Sequence, residues 1–244
     1  MTQDNKMTVL SDEKRTFPPS KEFSATAHIK SLAEYEKIYD RSVKDPEGFW
    51  GEMAEQRLTW FKKWDKVLDY DFHKPYIKWF VGGKLNMSVN CLDRHCQGAT
   101  RNKAAIIWEG DDGSYRTFTY QQLSTEVNRF ANVMRKNGVK RGDVVTMYLQ
   151  MIPELAIAIL ACTRIGAIHS VVFGGFASVS LASRIDDSQP VVIVSADAGS
   201  RSGKVVPYKP LLDEAIRLAA HKPKKVLLVD RGLATMERVA GRDV

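Results

Sequence analysis

Arg201 and Lys204 stand three residues apart in Asp197-Ala-Gly-Ser-Arg-Ser-Gly-Lys204, a short basic loop rich in small residues. A guanidinium and an ammonium so spaced can grip a phosphate from two sides, one through a planar fork and the other as a point charge. A second glycine-rich turn, Gly174-Gly175, follows the apolar run from Ile168 to Phe173. Bare backbone there admits the flat face of a base. Together the two segments suit an adenine nucleotide that carries an exposed phosphate. The stretch from Ala198 to Val205 imitates a Walker loop, but Ala198 replaces its first glycine and Val205 its Ser or Thr, so a P-loop is excluded.

Other reactive side chains carry less. Cys91-Leu-Asp-Arg-His95-Cys96 lacks the second ligand pair that a structural zinc needs, and no metal is assigned. His169, between Ile168 and Ser170 on an expected buried strand, reads as a hydrogen-bonded core histidine. No residue is named as catalytic.

The elements that must hold these loops alternate regularly from Lys103 onward. Ala104 to Trp108 and Tyr115 to Phe118 read as strands of a hairpin around Gly110-Asp-Asp-Gly113. Thr119 and Gln122 form a capping box, and Tyr120, Leu123, Val127, Phe130 and Met134 keep one helical face apolar until Asn137-Gly138. A strand from Val144 to Leu149, a helix from Pro153 to Ile165 stopped by Gly166, and the strand from Ile168 follow. Next come a helix from Ser178 to Asp187, a strand from Val191 to Ser195, a helix over 210–220 and a strand from Lys225 to Val229. This order predicts βαβ crossovers and a mainly parallel sheet, with both glycine-rich loops at the carboxyl ends of strands and therefore on one crevice. Residues 31–80, rich in Trp, Tyr and Phe with few β-branched runs, predict short helices and loops, with Trp50, Trp60, Trp64 and Trp79 as packing anchors.

Ala161-Cys-Thr-Arg-Ile-Gly-Ala-Ile-His-Ser-Val-Val-Phe-Gly-Gly-Phe176 and the basic loop resemble the AMP-forming acetyl-CoA synthetases of the adenylate-forming superfamily. The resemblance extends from Tyr35 through Tyr39-Asp-Arg-Ser-Val-Lys-Asp-Pro-Glu-Gly-Phe-Trp50, Trp64-Asp65 and Trp79-Phe-Val-Gly-Gly-Lys-Leu-Asn-Met-Ser-Val-Asn-Cys-Leu-Asp-Arg-His95 to the end, and covers most of the chain. It implies an α/β fold: a mainly parallel βαβ sheet from the N-terminal domain of the adenylate-forming fold, preceded by a helical and loop extension. The expected organisation is a flexible arm at 1–30, an extension packed on the core at 31–102, and an incomplete α/β subdomain at 103–244.

The same resemblance implies an acetate–CoA ligase that uses ATP, Mg²⁺ and coenzyme A and passes through acetyl-AMP. Residues matching Phe173, Gly174 and Gly175 line the family's site for the adenine of coenzyme A, and those matching Arg201, Ser202, Gly203 and Lys204 bind its 3′-phosphate. The family often has arginine where this chain has Lys204, and the ammonium loses the planar fork. The family's Ser/Thr/Gly-rich ATP loop occurs nowhere between Met1 and Val244, so the chain is expected to be the N-terminal part of a larger enzyme, inactive alone, with the remainder of its polypeptide as its partner. A propionyl-CoA synthetase fragment, a noncatalytic nucleotide-binding module and a structural domain are the alternatives.

Composition fits these expectations. At 244 residues and 44% hydrophobic content the chain can bury a core. Three cysteines, no leader-like N-terminus and no long apolar run point to the cytoplasm rather than to secretion or a membrane. The net charge of +7 comes without zinc-finger spacing or an aromatic RNA-binding motif, so small-molecule substrates rather than nucleic acid are the expected partners.

Overall fold

The computed structural model describes residues 15–244; the first part of the expected arm, residues 1–14, lies outside the described residues. The chain divides into two units, one of residues up to Arg57 together with Lys66–Val81, the other of Leu58–Asp65 together with Gly82–Val244. Residues 82–102, grouped with the extension in the sequence reading, thus cluster with the α/β part.

The first unit holds α1 (Lys21–Thr26), α2 (Leu32–Lys44) and α3 (Pro46–Arg57), followed by β1 (Lys66–Asp71) and β2 (Tyr76–Val81). Ser20 and Ser31 cap α1 and α2 by accepting the amides of Phe23 and Glu34, each at 3.2 Å. Strands β1 and β2 pair antiparallel from Lys66 opposite Val81 to Asp71 opposite Tyr76. This hairpin corrects the expectation of helices and loops alone. Its strand tendency comes from aromatics such as Tyr70, Tyr76, Trp79 and Phe80 rather than from β-branched runs. Trp50 and Trp79 are about half exposed, so the anchoring role expected of them is also corrected. Trp60 and Trp64, in the second unit, meet edge to face with ring centres 5.0 Å apart.

The second unit begins with a π-helical turn (Val89–Asp93), the short α4 (Arg94–Cys96) and a 3₁₀ turn (Ala99–Asn102). A hairpin of β3 (Ala104–Glu109) and β4 (Tyr115–Thr119) feeds α5 (Tyr120–Lys136) through the expected capping box. Gln122 donates its amide to the Thr119 hydroxyl at 3.2 Å, and its side chain takes the Thr119 amide at 2.9 Å. The chain then alternates through β5 (Val144–Leu149), α6 (Pro153–Ile165), β6 (Ile168–Phe173), α7 (Ser178–Ser188) and β7 (Val192–Ala196). A small hairpin of β8 (Ala198–Arg201) and β9 (Lys204–Pro207), then α8 (Tyr208–Leu218) and β10 (Lys225–Val229), complete it.

Strands β10, β7, β5 and β6 form one parallel sheet in that order. The two inner strands are buried on both faces, which is why their sequences are continuous apolar runs. Val127, Met134, Ala158 and Cys162 of α5 and α6 pack with Val145, Met147 and Val194 in one core. Leu181, Ile185 and Leu212 of α7 and α8 pack with Tyr148, Ile193 and Val226 in a second core. Full burial of each such side chain stabilises by about 1.5 to 3 kcal/mol. Strand β6 lies at the sheet edge, and this overturns the placement of His169 in a core: the histidine is exposed, together with Ile168, Val171 and Phe173. The other edge strand, β10, receives the segment ending at Val244, with Val226 donating to the Arg242 carbonyl at 3.0 Å and accepting from Val244 at 2.9 Å.

Candidate functional site

Parallel pairing sets all four carboxyl strand ends side by side, and a cavity of about 480 Å³ opens there. Each end contributes to it: Gln150 and Met151 after β5, Phe173 to Gly175 at β6, Gly199 to Arg201 after β7, and Arg231 after β10. The β3–β4 hairpin brings in Trp108 from β3 and Asp111 from its turn. The structure therefore gathers Phe173, Gly174, Gly175 and Arg201 at one crevice, as the strand-end rule leads one to expect.

The stretch read as an open loop is a hairpin, which corrects the sequence reading. Arg201 pairs with Lys204 across a two-residue turn, Ser202-Gly203, in which both residues adopt positive φ (51° and 73°). That is the backbone twist favoured in tight hairpins. Directly paired residues share a face, so the guanidinium and ammonium lie on the side that also carries Gly199 and Val206 toward the cavity. Arg201 lines the cavity, while Ser202, Gly203 and Lys204 form the exposed tip beside it.

Asp111 fixes the tip from a sequence distance of 92 residues: it accepts the Gly203 amide at 2.9 Å and the Ser200 hydroxyl at 3.0 Å. These two bonds hold its carboxyl below the usual range. Gln150 accepts the Ser200 amide at 2.9 Å, and the Trp108 indole donates to the Met151 carbonyl at 2.7 Å. At the hairpin's base the buried Asp197 takes the amides of Arg231, Leu233 and Ala234 at 3.2, 2.6 and 3.1 Å. The segment after β10 is thereby tied to the end of β7.

Tyr208 forms the cavity's inner wall. Cβ atoms added at Gly174 and Gly199 would lie 2.3 and 2.6 Å from its hydroxyl, so both glycines make room for that ring. The space left open at Gly175 is taken by the Phe173 ring, which corrects the expectation of bare backbone facing a base: the glycines here admit the protein's own rings. Behind Tyr208, Tyr148 packs with ring centres 5.1 Å apart and donates to the Phe176 carbonyl at 2.9 Å. Burial, aided by Tyr208, pushes the Tyr148 phenol up to about 12, so it stays protonated.

The cavity carries charges of both signs, from Arg201 and Arg231 and from Glu109 and Asp111. Its lining holds no histidine, cysteine or lysine, and its one serine is engaged by Asp111. It joins aromatic and apolar walls to two guanidiniums and two carboxylates. Among the described residues no group of three or more His, Cys, Asp or Glu could hold a metal ion. No described helix is long and apolar enough to cross a membrane. Cys91, Cys96 and Cys162 are unpaired; the Cys96 thiol donates to the Tyr120 carbonyl, and the His95 ring rests on Tyr120.

Sequence reasoning missed Tyr208, Arg231, Asp111 and Gln150. Arg231 was legible in principle, since it follows the expected end of the last strand as Gly174 follows another. Asp111 carried no signal beyond its turn.

Residues 35–91 match the acetyl-coenzyme A synthetase N-terminus family, and residues 92–242 match the AMP-binding enzyme family. The acetyl-coenzyme A synthetase of Leptospira biflexa is 53% identical over 220 residues, 90% of this chain and 33% of that protein. The propionate–CoA ligase of Escherichia coli is 51% identical over 210 residues, 86% of this chain and 33% of its own length. In fold, the acetoacetyl-CoA synthetase from Streptomyces lividans superposes with a TM-score of 0.80 at 23% identity, over 92% of this chain and 36% of that one. The chain spans about a third of the length of the curated relatives it matches. Its parallel sheet and strand-end crevice are thus accounted for: the chain belongs to the AMP-binding enzyme family and carries the N-terminal region found in acetyl-coenzyme A synthetases.

Proposed function

We propose that this chain supplies the coenzyme A nucleotide site of an AMP-forming acetate–CoA ligase, in which Phe173, Gly174, Gly175 and the hairpin Arg201 to Lys204 receive the adenine and 3′-phosphate. The observation that carries this reading is the convergence of Phe173–Gly175 and Arg201 on one cavity, in a chain of the AMP-binding family.

In the whole enzyme, a carboxylate oxygen of acetate attacks the α-phosphorus of ATP, and the bond to pyrophosphate breaks to leave acetyl-AMP. The coenzyme A sulfur then attacks the acetyl carbon, and AMP departs with the electron pair of the broken C–O bond. ATP and Mg²⁺ act outside the residues present here, and the chain alone is inactive. Its own residues work by positioning: anchoring the distant nucleotide end confines where the thiol can reach. The proposed setting is the cytoplasm, with acetate, ATP and coenzyme A as small-molecule partners. Propionate as the acyl group is a second reading, favoured by the likeness to the propionate–CoA ligase at 51% identity.

Calorimetric titration with coenzyme A and dephospho-coenzyme A, repeated on Arg201→Ala, tests the site. A charge-assisted phosphate contact is worth about 1.5 to 3 kcal/mol, so coenzyme A should bind about tenfold or more tightly, and the variant should erase that difference. Equal affinities in the unmodified chain would refute the phosphate assignment. Pyrophosphate exchange by the chain alone would refute its inactivity.

A further inference from the structure

We propose that Arg231 is a second phosphate-binding residue of this cavity, engaging the diphosphate of the nucleotide whose terminal phosphate is held at the hairpin tip; the inference rests on the coenzyme A reading above. Arg231 is half-buried, faces the cavity and takes part in no ion pair among the described residues. Its guanidinium has one contact, from Nη1 to the Ala198 carbonyl at 3.5 Å, which is long for a hydrogen bond and leaves most of its five donors to spare. Its backbone is fixed independently, by the bond from its amide to buried Asp197. The side chain is thus a cation with no close ion pair, its charge felt at Asp112, on a fixed backbone at the edge of the cavity.

The position of that cation decides what it can hold. Ala198 is at the base of the hairpin and Arg201 at its tip, three residues along a strand, or about 10 Å. The tip already sets two positive charges against a phosphate monoester of about −1.5 to −2. Anchored at opposite ends of the hairpin strand, the two arginines suit two anionic groups of one ligand, with the terminal phosphate at the tip and a second anion at Arg231. Tyr208 lines the same cavity. Burial raises its phenol's pKa, and Arg231 and then Arg201 pull it back, so both charges are felt at its hydroxyl. The neutral hydroxyl can donate to an anion in the cavity. The chemistry that fits is a nucleotide with a terminal phosphate and a diphosphate on separate positions of one sugar.

The test is titration of the full chain and its Arg231→Ala, Arg231→Gln and Arg201→Ala variants with coenzyme A and dephospho-coenzyme A, which share the diphosphate and differ in the terminal phosphate. Arg231→Ala and Arg231→Gln should weaken both ligands by about tenfold or more and leave their affinity ratio unchanged, whereas Arg201→Ala should collapse that ratio. Melting temperatures near that of the unmodified chain are expected, because the Asp197 bond uses backbone. If both Arg231 variants bind both ligands normally, the inference falls and the coenzyme A site stands. If they collapse the ratio instead, one phosphate is shared by both arginines and the two-anion reading falls. If the unmodified folded chain binds neither ligand, the coenzyme A reading falls, and this inference with it.

Discussion

Gly174 and Gly199 should be intolerant of even a methyl group, and for a reason that a second substitution can expose. A Cβ at Gly174 would meet the Tyr208 hydroxyl at 2.3 Å, its Cζ at 2.7 Å and its Cε2 at 2.9 Å. Ordinary contact begins near 3.4 Å, so the overlap with the oxygen exceeds an ångström. Tyr208 cannot simply swing away: it is buried, packs on Tyr148 and begins α8. Overpacking of this kind costs about 1 to 3 kcal/mol. At about 3 °C per kcal/mol for a chain of this size, Gly174→Ala should lower Tm by roughly 3 to 9 °C. Tyr208→Phe deletes the closest atom but leaves the ring carbons inside contact distance, so in the Gly174→Ala background it should recover part of the loss. A thermal-denaturation double-mutant cycle then gives a coupling of about 0.5 to 2 kcal/mol in the compensating direction. Additive single effects, or an unchanged Tm for Gly174→Ala, would refute the claim that Gly174 is there to admit Tyr208.

The Asp243 side chain is buried; burial works against its charge, but hydrogen bonds from Arg242, the Val239 amide and Lys209 outweigh it and hold its carboxyl at about 2, against an ordinary 3.8. Because the folded value is the lower one, about 2 kcal/mol of stability is present above pH 4 and drains away as pH falls from 4 to 2. Asp243→Asn should flatten that part of a denaturation profile, and an identical acid slope in the variant would contradict the assignment. Burial pushes the Cys162 thiol up to about 12, so a thiol reagent should label exposed Cys91 in the native chain and reach Cys162 only on unfolding; equal native rates would refute this. Asp111→Ala should speed hydrogen exchange at the Gly203 amide several-fold and weaken coenzyme A binding while barely moving Tm, and unchanged Gly203 protection would show that Asp111 does not hold the tip.

How much of this was legible depended on where each residue's partners lie in the chain. The strands Val144–Leu149, Ile168–Phe173 and Lys225–Val229 and the helix Pro153–Ile165 have the bounds the sequence suggests. Apolar runs, a proline at the helix start and Gly166 at φ +73° carry their own punctuation. The edge position of β6 carried none: its apolar run is indistinguishable from that of β5, and only strand order separates an exposed His169 from a buried one. The site divides the same way. Gly174, Gly175 and Arg201 follow strand ends, so a local pattern with one topological rule found them. The hairpin that presents Arg201 opposite Lys204 depends on the Ser202-Gly203 turn and on Asp111, whose bond to Gly203 spans 92 residues. Tyr208 announces itself as nothing more than the first residue of a helix, and its place in the cavity follows from two glycines on different strand ends that leave space for one ring. Residues that position a site from a distance are thus the ones a linear reading loses, because their signal belongs to pairs of segments that only the closed sheet brings together.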